Sequence, residues 1–270
     1  MNDLLRELAP ISSAAWAEIE KEAGRTLKLT LAGRKLVDFT GPLGWEASAV
    51  NTGRVEPAAT QPRNGIEASL RRVQPLVELR VPFELPRHEL ETAGRGATDL
   101  DLAPVVTAAR EIAMAEDGAI FHGYDAGGIK GIGPAADPAT LTLTDDFARY
   151  PIVVAEALSK LREDSVAGPY GIALGPRCYT GLTETTTSGG YRVFDHVKRL
   201  LDGPVVWAPG VDGAVIVSLR GGDFELTVGQ DLSIGYLDHT AETVRLYLQE
   251  SFTFRVLEAE AAVPLSYEAR

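Results

Sequence analysis

The side chains that most often carry chemistry are few and scattered in this chain. The four histidines, His88, His122, His196 and His239, lie so far apart that no two have metal-ligand spacing on one helix. Cys178 has only Arg177 as a cationic neighbour in sequence and no histidine close by, so an inert thiol is expected rather than a nucleophile. A single cysteine also excludes an intrachain disulfide and a cysteine-built zinc site. No serine stands in a G-x-S-x-G elbow. The carboxylate pairs Glu116-Asp117 and Asp145-Asp146 are adjacent, and adjacent helical positions do not face each other, which makes poor acid/base pairs. The run Gly127-Gly128-Ile129-Lys130-Gly131-Ile132-Gly133 has the composition of a phosphate loop. It lacks Walker spacing, its lysine is not followed by Ser or Thr, and it reads as a flexible joint. No catalytic residue and no metal ligand is assigned.

Composition points the same way. With 45% apolar and 24% charged residues the 270-residue chain can build a globular core, so global disorder is excluded. No apolar run reaches the length that spans a bilayer, and Met1–Pro10 carries Asp3, Arg6 and Glu7 without an apolar segment, so neither a membrane nor an export signal is expected. A reducing cytoplasm fits the cysteine usage. Acidic side chains outnumber basic ones by 38 to 26, and residues 96–270 carry the whole excess. Such a chain repels phosphate backbones, which disfavours nucleic acid as a partner.

Helical periodicity marks a first helix after Ser12-Ser13, with Trp16, Ile19, Ala23 and Leu27 on one stripe and Gly33 ending it. A second opens at Asp101–Pro104 and buries Val105, Val106, Ala109, Ile112 and Ala113 towards Phe121. A third is capped by Asp145 or Asp146 and turns Val153, Val154, Ala157, Leu158 and Leu161 inward. Pro75–Leu85 and Tyr170–Leu174 read as strands, Arg177–Leu182 and Arg192–Leu201 as short helices, the latter closed by Gly203, and Val205–Trp207 and Ala214–Leu219 as strands. From Val244 to Val256 even positions are apolar and odd ones polar, with Glu250 the one exception. That is one long half-buried strand, or two joined by a bend at Glu250, followed by a strand over Ala259–Leu265. The fold class is α+β.

Residues 48–74 stand apart. Their large apolar side chains are only Val50, Val55, Ile66, Leu70 and Val73, and Asn64-Gly65 predicts a type I′ hairpin turn. An isolated hairpin is marginal in water, so this arm needs cover from its own domain or from another subunit.

The run Arg220-Gly221-Gly222-Asp223-Phe224-Glu225-Leu226-Thr227-Val228-Gly229-Gln230-Asp231-Leu232-Ser233-Ile234-Gly235-Tyr236 closely resembles the signature of encapsulins. So do Gly41-Pro42-Leu43-Gly44-Trp45-Glu46, Pro75-Leu76-Val77-Glu78-Leu79-Arg80 and Gly168-Pro169-Tyr170, in the same order and over essentially the whole chain. The resemblance implies a tailed-phage major capsid protein fold. Residues 1–47 would form the N-terminal helix and the start of a peripheral domain. Residues 48–74 would be the extended loop, 75–134 the peripheral domain with its spine helix, 135–222 the axial domain, and 223–270 the return to the peripheral sheet. It implies a homo-oligomeric closed icosahedral shell, most simply of sixty subunits, that is not an enzyme. The shell would take up a dye-decolorising peroxidase or ferritin-like cargo enzyme in the cytoplasm through a short terminal targeting peptide. A secreted bacteriocin or hydrolase and a prophage capsid protein are the competing readings.

By family position, cargo peptides would dock at Leu27, Leu31, Arg34, Asp38, Ile234 and Tyr236. The loop with Thr185, Thr186, Thr187, Ser188, Gly189 and Gly190 would line a pore at the fivefold axis. The aromatic residue that stacks flavin in some relatives falls at His88, and imidazole is a poorer stacking surface than indole, so no cofactor is expected.

Overall fold

The computed structural model of the chain describes residues 4–136, 141–187 and 189–267. Ser12 caps the first helix, α1 (Ser13–Thr30), and its hydroxyl accepts from the Ala15 N–H at 3.2 Å. Ile19 and Ala23 are buried, with Trp16 and Leu27 half-buried beside them. The helix stops at Thr30, not at Gly33, which instead opens a 3-10 turn. Next come β1 (Asp38–Thr40), the hairpin strands β2 (Ala49–Pro57) and β3 (Ser69–Pro75), and β4 (Val77–Pro86). A short helix that the periodicity did not announce, α2 (Arg87–Gly94), precedes the long α3 (Ala103–Phe121), which carries Pro104 in its first turn.

After α4 (Ile132–Ala135) the chain enters a second region through β5 (Leu141–Leu143). Asp146 caps a 3-10 turn that runs directly into α5 (Tyr150–Glu163). Then follow β6 (Tyr170–Leu174), α6 (Pro176–Glu184), α7 (Val193–Leu201), β7 (Val205–Trp207) and β8 (Ala214–Ser218). The residue in left-handed conformation that ends α7 is Asp202, one before the expected Gly203. Strands β9 (Phe224–Val228), β10 (Ser233–His239), β11 (Thr243–Val256) and β12 (Ala262–Tyr267) complete the described chain.

Strand β11 is the beam of the first sheet. It runs unbroken through Glu250 for 14 residues, roughly 45 Å at about 3.3 Å per residue. β4 pairs antiparallel along one edge, from Thr243↔Pro86 to Phe252↔Val77. On the other edge β10 covers the first half and β9 the second, with β1 parallel outside β9. Flanking by strands on both edges buries more than the expected half: Gln249, Glu250 and Thr253 are inaccessible too. Val244, Leu246 and Leu248 pack with Ile19 and Ala23 of α1 and with Val105, Ala109 and Ile112 of α3 in one apolar core.

The second sheet has the order β5-β12-β8-β6-β7. Leu158 and Leu161 of α5, Val197 and Leu201 of α7, and Ile172, Leu174 and Ile216 of the strands share its core. Strands β9, β10 and β11 lie in the first sheet. Residues 262–267 do not: β12 pairs with β8 from Ala262↔Val217 to Leu265↔Ala214, and with β5 on its other edge. No helix among the described residues is long and apolar enough to cross a membrane.

Two local expectations are corrected. The Asn64-Gly65 turn joins the arm strands, but only Gly65 takes a positive φ, +79°, whereas a type I′ turn needs both. The glycine-rich run is a packed turn rather than a flexible joint. Tyr124 and Ile129 bridge across it, Ile129 and Ile132 are buried, and a Cβ on Gly131 would lie 2.2 Å from the Gly123 nitrogen. From its glycine content the whole of Gly123–Pro138 is expected to be a loop, and its last two residues, Asp137 and Pro138, lie outside the described residues.

Candidate functional site

The histidines and the cysteine form no reactive cluster. Cys178 is buried in α6, 3.3 Å from the Tyr150 hydroxyl and 3.2 Å from that of Tyr267. Burial raises its pKa, which keeps the thiol protonated and unreactive. His122 reaches the Gly210 carbonyl at 2.8 Å, His239 pairs with the Tyr236 hydroxyl, and His88 is exposed. No group of three metal-ligating side chains exists among the described residues.

Interest therefore moves to surfaces. The arm is a twisted hairpin, β2 on β3, with a register irregularity between Asn51 and Val55. Its apolar side chains are open to solvent: Val55 is 61%, Ile66 51%, Leu70 57% and Val73 54% exposed. At the root, the Gln74 side-chain amide donates to the Gly128 carbonyl at 2.8 Å and ties the arm to the glycine turn. Among the described residues of its own subunit, those side chains are left more than half exposed.

The six positions expected to dock cargo divide into two groups. Ile234 and Tyr236 are buried in the core under β10, with half-buried Leu27 packed against it, and Leu31 is buried at the end of α1. Arg34 and Asp38 line one cleft of about 270 Å³ together with Leu36, Leu219, Gly221 and Phe224. There exposed Asp38 accepts from the Gly222 N–H at 2.6 Å.

Arg34 is the centre of an ion network rather than a free cation. Its Nε donates to both Glu116 oxygens at 2.9 Å, Nη1 to Asp231 at 2.7 Å, and Nη2 to Glu116 and, at 3.0 Å, to Glu250. Glu116 and Glu250 have no side-chain exposure. Glu116 and Glu250 share this one guanidinium away from water, whereas the Asp231 side chain is partly exposed, so a proton on the buried pair is favoured. Burial, and then the charge of Glu116, raises the Glu250 pKa well above the usual carboxylate range. Next to this network Asp117 accepts from the N–H groups of Ala32 and Gly33 at 2.9 and 2.8 Å. Burial nevertheless raises its carboxyl to about 7, against the pull of those two donors. The sequence held a signal for this cluster that its reading left unused: Glu250 on an apolar strand face, and Glu116-Asp117 inside an apolar helix.

The loop over 185–190 is tied by backbone contacts. Thr186 bridges to Arg192, the Thr187 N–H donates to the Tyr191 carbonyl at 2.8 Å, and Gly190 donates back to the Thr187 carbonyl at 2.8 Å. Thr186, Gly189 and Gly190 are exposed, Thr185 and Thr187 half-buried, and Ser188 lies outside the described residues. The sequence reading did not single out Tyr191, 76% exposed at the same tip.

Comparison with solved structures gives the fold. The chain superimposes on a virus-like particle protein from Pyrococcus furiosus with a TM-score of 0.64 at 15% identity, covering 92% of this chain and 98% of that one. A capsid chain of Mycobacterium phage Bobi gives 0.56 at 14% identity, with 91% of each chain covered. A family model described as "Encapsulating protein for peroxidase" matches residues 1–253. Two type 1 encapsulin shell proteins align along nearly their whole length. That of Rhodospirillum rubrum is 60% identical over 98% of this chain and 96% of its own, and that of Mycobacterium tuberculosis 48% identical over 99% and 100%. The capsid fold, the uncovered arm, the lack of a reactive cluster among the described residues and these alignments agree, and the chain belongs to the encapsulin family of shell proteins.

Proposed function

We propose that sixty identical copies of this chain close into an icosahedral shell in the cytoplasm and enclose a peroxidase held by its short terminal targeting peptide. The chain itself contributes walls and openings and performs no catalysis. The observation that carries the reading is the match of residues 1–253 to a family described as encapsulating a peroxidase. The uncovered arm supplies its physical basis, since exposed apolar side chains gain from burial against a neighbour and a closed shell multiplies weak contacts.

Within the shell, the arm lies over an adjacent subunit. The cargo peptide lies along the face made by Leu27 and the cleft of Arg34 and Asp38, with Leu31, Ile234 and Tyr236 as the apolar floor beneath. The loop of Thr185, Thr186, Thr187, Ser188, Gly189 and Gly190 rings the fivefold opening, where hydroxyls and few fixed charges pass small molecules with little selectivity. A ferritin-like enzyme with the same kind of tail would be carried equally well.

The test is expression of the chain alone and beside a peroxidase with or without its terminal peptide. Sixty copies of a 28.9 kDa chain make a particle of about 1.7 MDa, hollow by negative stain. The peroxidase co-purifies only with its peptide in place. A stable monomer at micromolar concentration, or equal uptake of the peptide-less enzyme, defeats the reading.

A further inference from the structure

We propose that the groove at the root of the arm is a docking surface for acidic side chains of a second copy of this chain. The proposal rests on the shell reading above and names one of its contacts. The groove has a volume of about 390 Å³. Arg54 and Arg72 come from the arm, Lys130 from the glycine turn and Arg255 from the end of β11, and no acidic side chain lines it. In a chain where carboxylates outnumber cations by 38 to 26, four cations around one groove run against the general charge.

The subunit answers only half of that charge. Arg72 pairs with Glu56, and Arg255 with Glu225, while the Arg255 Nε is a buried donor with no acceptor. Arg54 and Lys130 are exposed and have no ion pair among the described residues. The same groove is lined by Val73 and Leu257, which are 54% and 52% exposed. A neighbour that buries the apolar side chains of the arm root must also take Arg54 and Lys130 out of water. A cation removed from water without a partner is strongly unfavourable. The covering surface must therefore bring carboxylates, and a second copy of this acidic chain has them in excess.

The experiment uses the full chain and two double variants, Arg54→Glu/Lys130→Glu and Arg54→Gln/Lys130→Gln. Both side chains are exposed, so the circular dichroism and the denaturation midpoint of the dissociated subunit stay at parental values. The particle fraction at micromolar concentration falls about tenfold or more in the Glu variant. Raising salt from about 0.05 M to about 1 M weakens parental particles but leaves the smaller yield of the Gln variant nearly unchanged. Parental yield and parental salt response in both variants overturn the proposal. Stabilisation of parental particles by inorganic phosphate, absent in the Gln variant, also overturns it, because the occupant is then a free oxyanion. A parent that remains monomeric defeats this proposal together with the shell reading. Failure of the variants' predicted loss beside an assembling parent defeats this proposal alone.

Discussion

Arg34 and Glu250 stand 216 positions apart in the chain, and Arg34 Nη2 donates to Glu250 Oε2 at 3.0 Å. Their contact joins the segment after α1 to the middle of β11, and Glu116 ties both to α3. The first sheet, the N-terminal helix and the spine helix are fastened at this one place.

Replacing Arg34 by Met leaves the buried Glu116–Glu250 pair without its cation. The expected loss is about 3–5 kcal/mol of subunit stability, seen as a lower denaturation midpoint or insoluble protein. Parental stability in Arg34→Met would show that the network contributes nothing.

Asp117 and Glu250 both have folded-state pKa values above their unfolded ones. At these two groups the folded subunit then holds more protons than the unfolded chain from about pH 4 upward, so their contribution to stability is fullest below that pH and declines as pH rises. The decline ends near pH 7 for Asp117 and continues through the raised value of Glu250. Each proton contributes a slope of at most about 1.4 kcal/mol per pH unit. Glu250→Gln removes its share and flattens the profile. Urea titrations of dissociated subunits between acidic and mildly alkaline pH check this, and a profile identical in parent and variant contradicts it.

Ile234→Asp would place a carboxylate in the core under β10, not on an open peptide-binding face. The expected outcome is a subunit destabilised by several kcal/mol, roughly the cost of an unpaired buried charge, before any effect on cargo is measurable. Asp38→Ala, at an exposed position in the cleft with Arg34, is the variant suited to cargo uptake. Shells of normal yield with peroxidase content cut to about a third or less support docking there. Unchanged content places the peptide elsewhere.

Deleting Val55–Leu70 and closing the gap with glycines removes side chains that touch little of their own subunit. The remainder is expected to keep its far-ultraviolet spectrum and lose particle formation. Shells of parental heat resistance would remove the arm from the contacts between copies.

Thr186→Asp adds five carboxylates to one ring if the loop surrounds the fivefold axis. Oxidation of anionic substrates by enclosed peroxidase should then slow several-fold, more at low ionic strength. Equal rates for anionic and cationic substrates at low salt separate the loop from the opening.

Local pattern disclosed what local forces decide. Ser12 as cap, the stripe on α1 and the alternation along β11 each reflect a period visible within a dozen residues. The helix α2 was not legible because RHELETAG offers only Leu90 and Ala93 for burial, which is too little to show a period. The type I′ expectation failed because the turn is not the tight joint of the two strands: it sits in the connection from Pro57 to Ser69, closed by the isolated Arg63–Ile66 bridge. Glu250 appeared as a flaw in an apolar face, and its partners Arg34 and Glu116 lie far off in sequence, where no spacing rule reaches. The sheet membership of β12 is hidden for the same reason: its alternation fits either sheet, and only the tertiary path selects one. The candidate surfaces came from family likeness, while the groove of Arg54 and Lys130 became visible only when the arm root and the end of β11 met.

The place of β12 between β5 and β8 has a consequence for biosynthesis. Both of those strands are translated before it, with β9, β10 and β11 of the first sheet between β8 and β12. Until β12 arrives, β8 keeps an open edge, and such edges invite pairing with foreign chains. A nascent chain stalled before Ala262 can pair β6 with β7 and β8 but lacks the strand that joins β5 to β8. Closure of the second sheet thus waits for the last strand to be made.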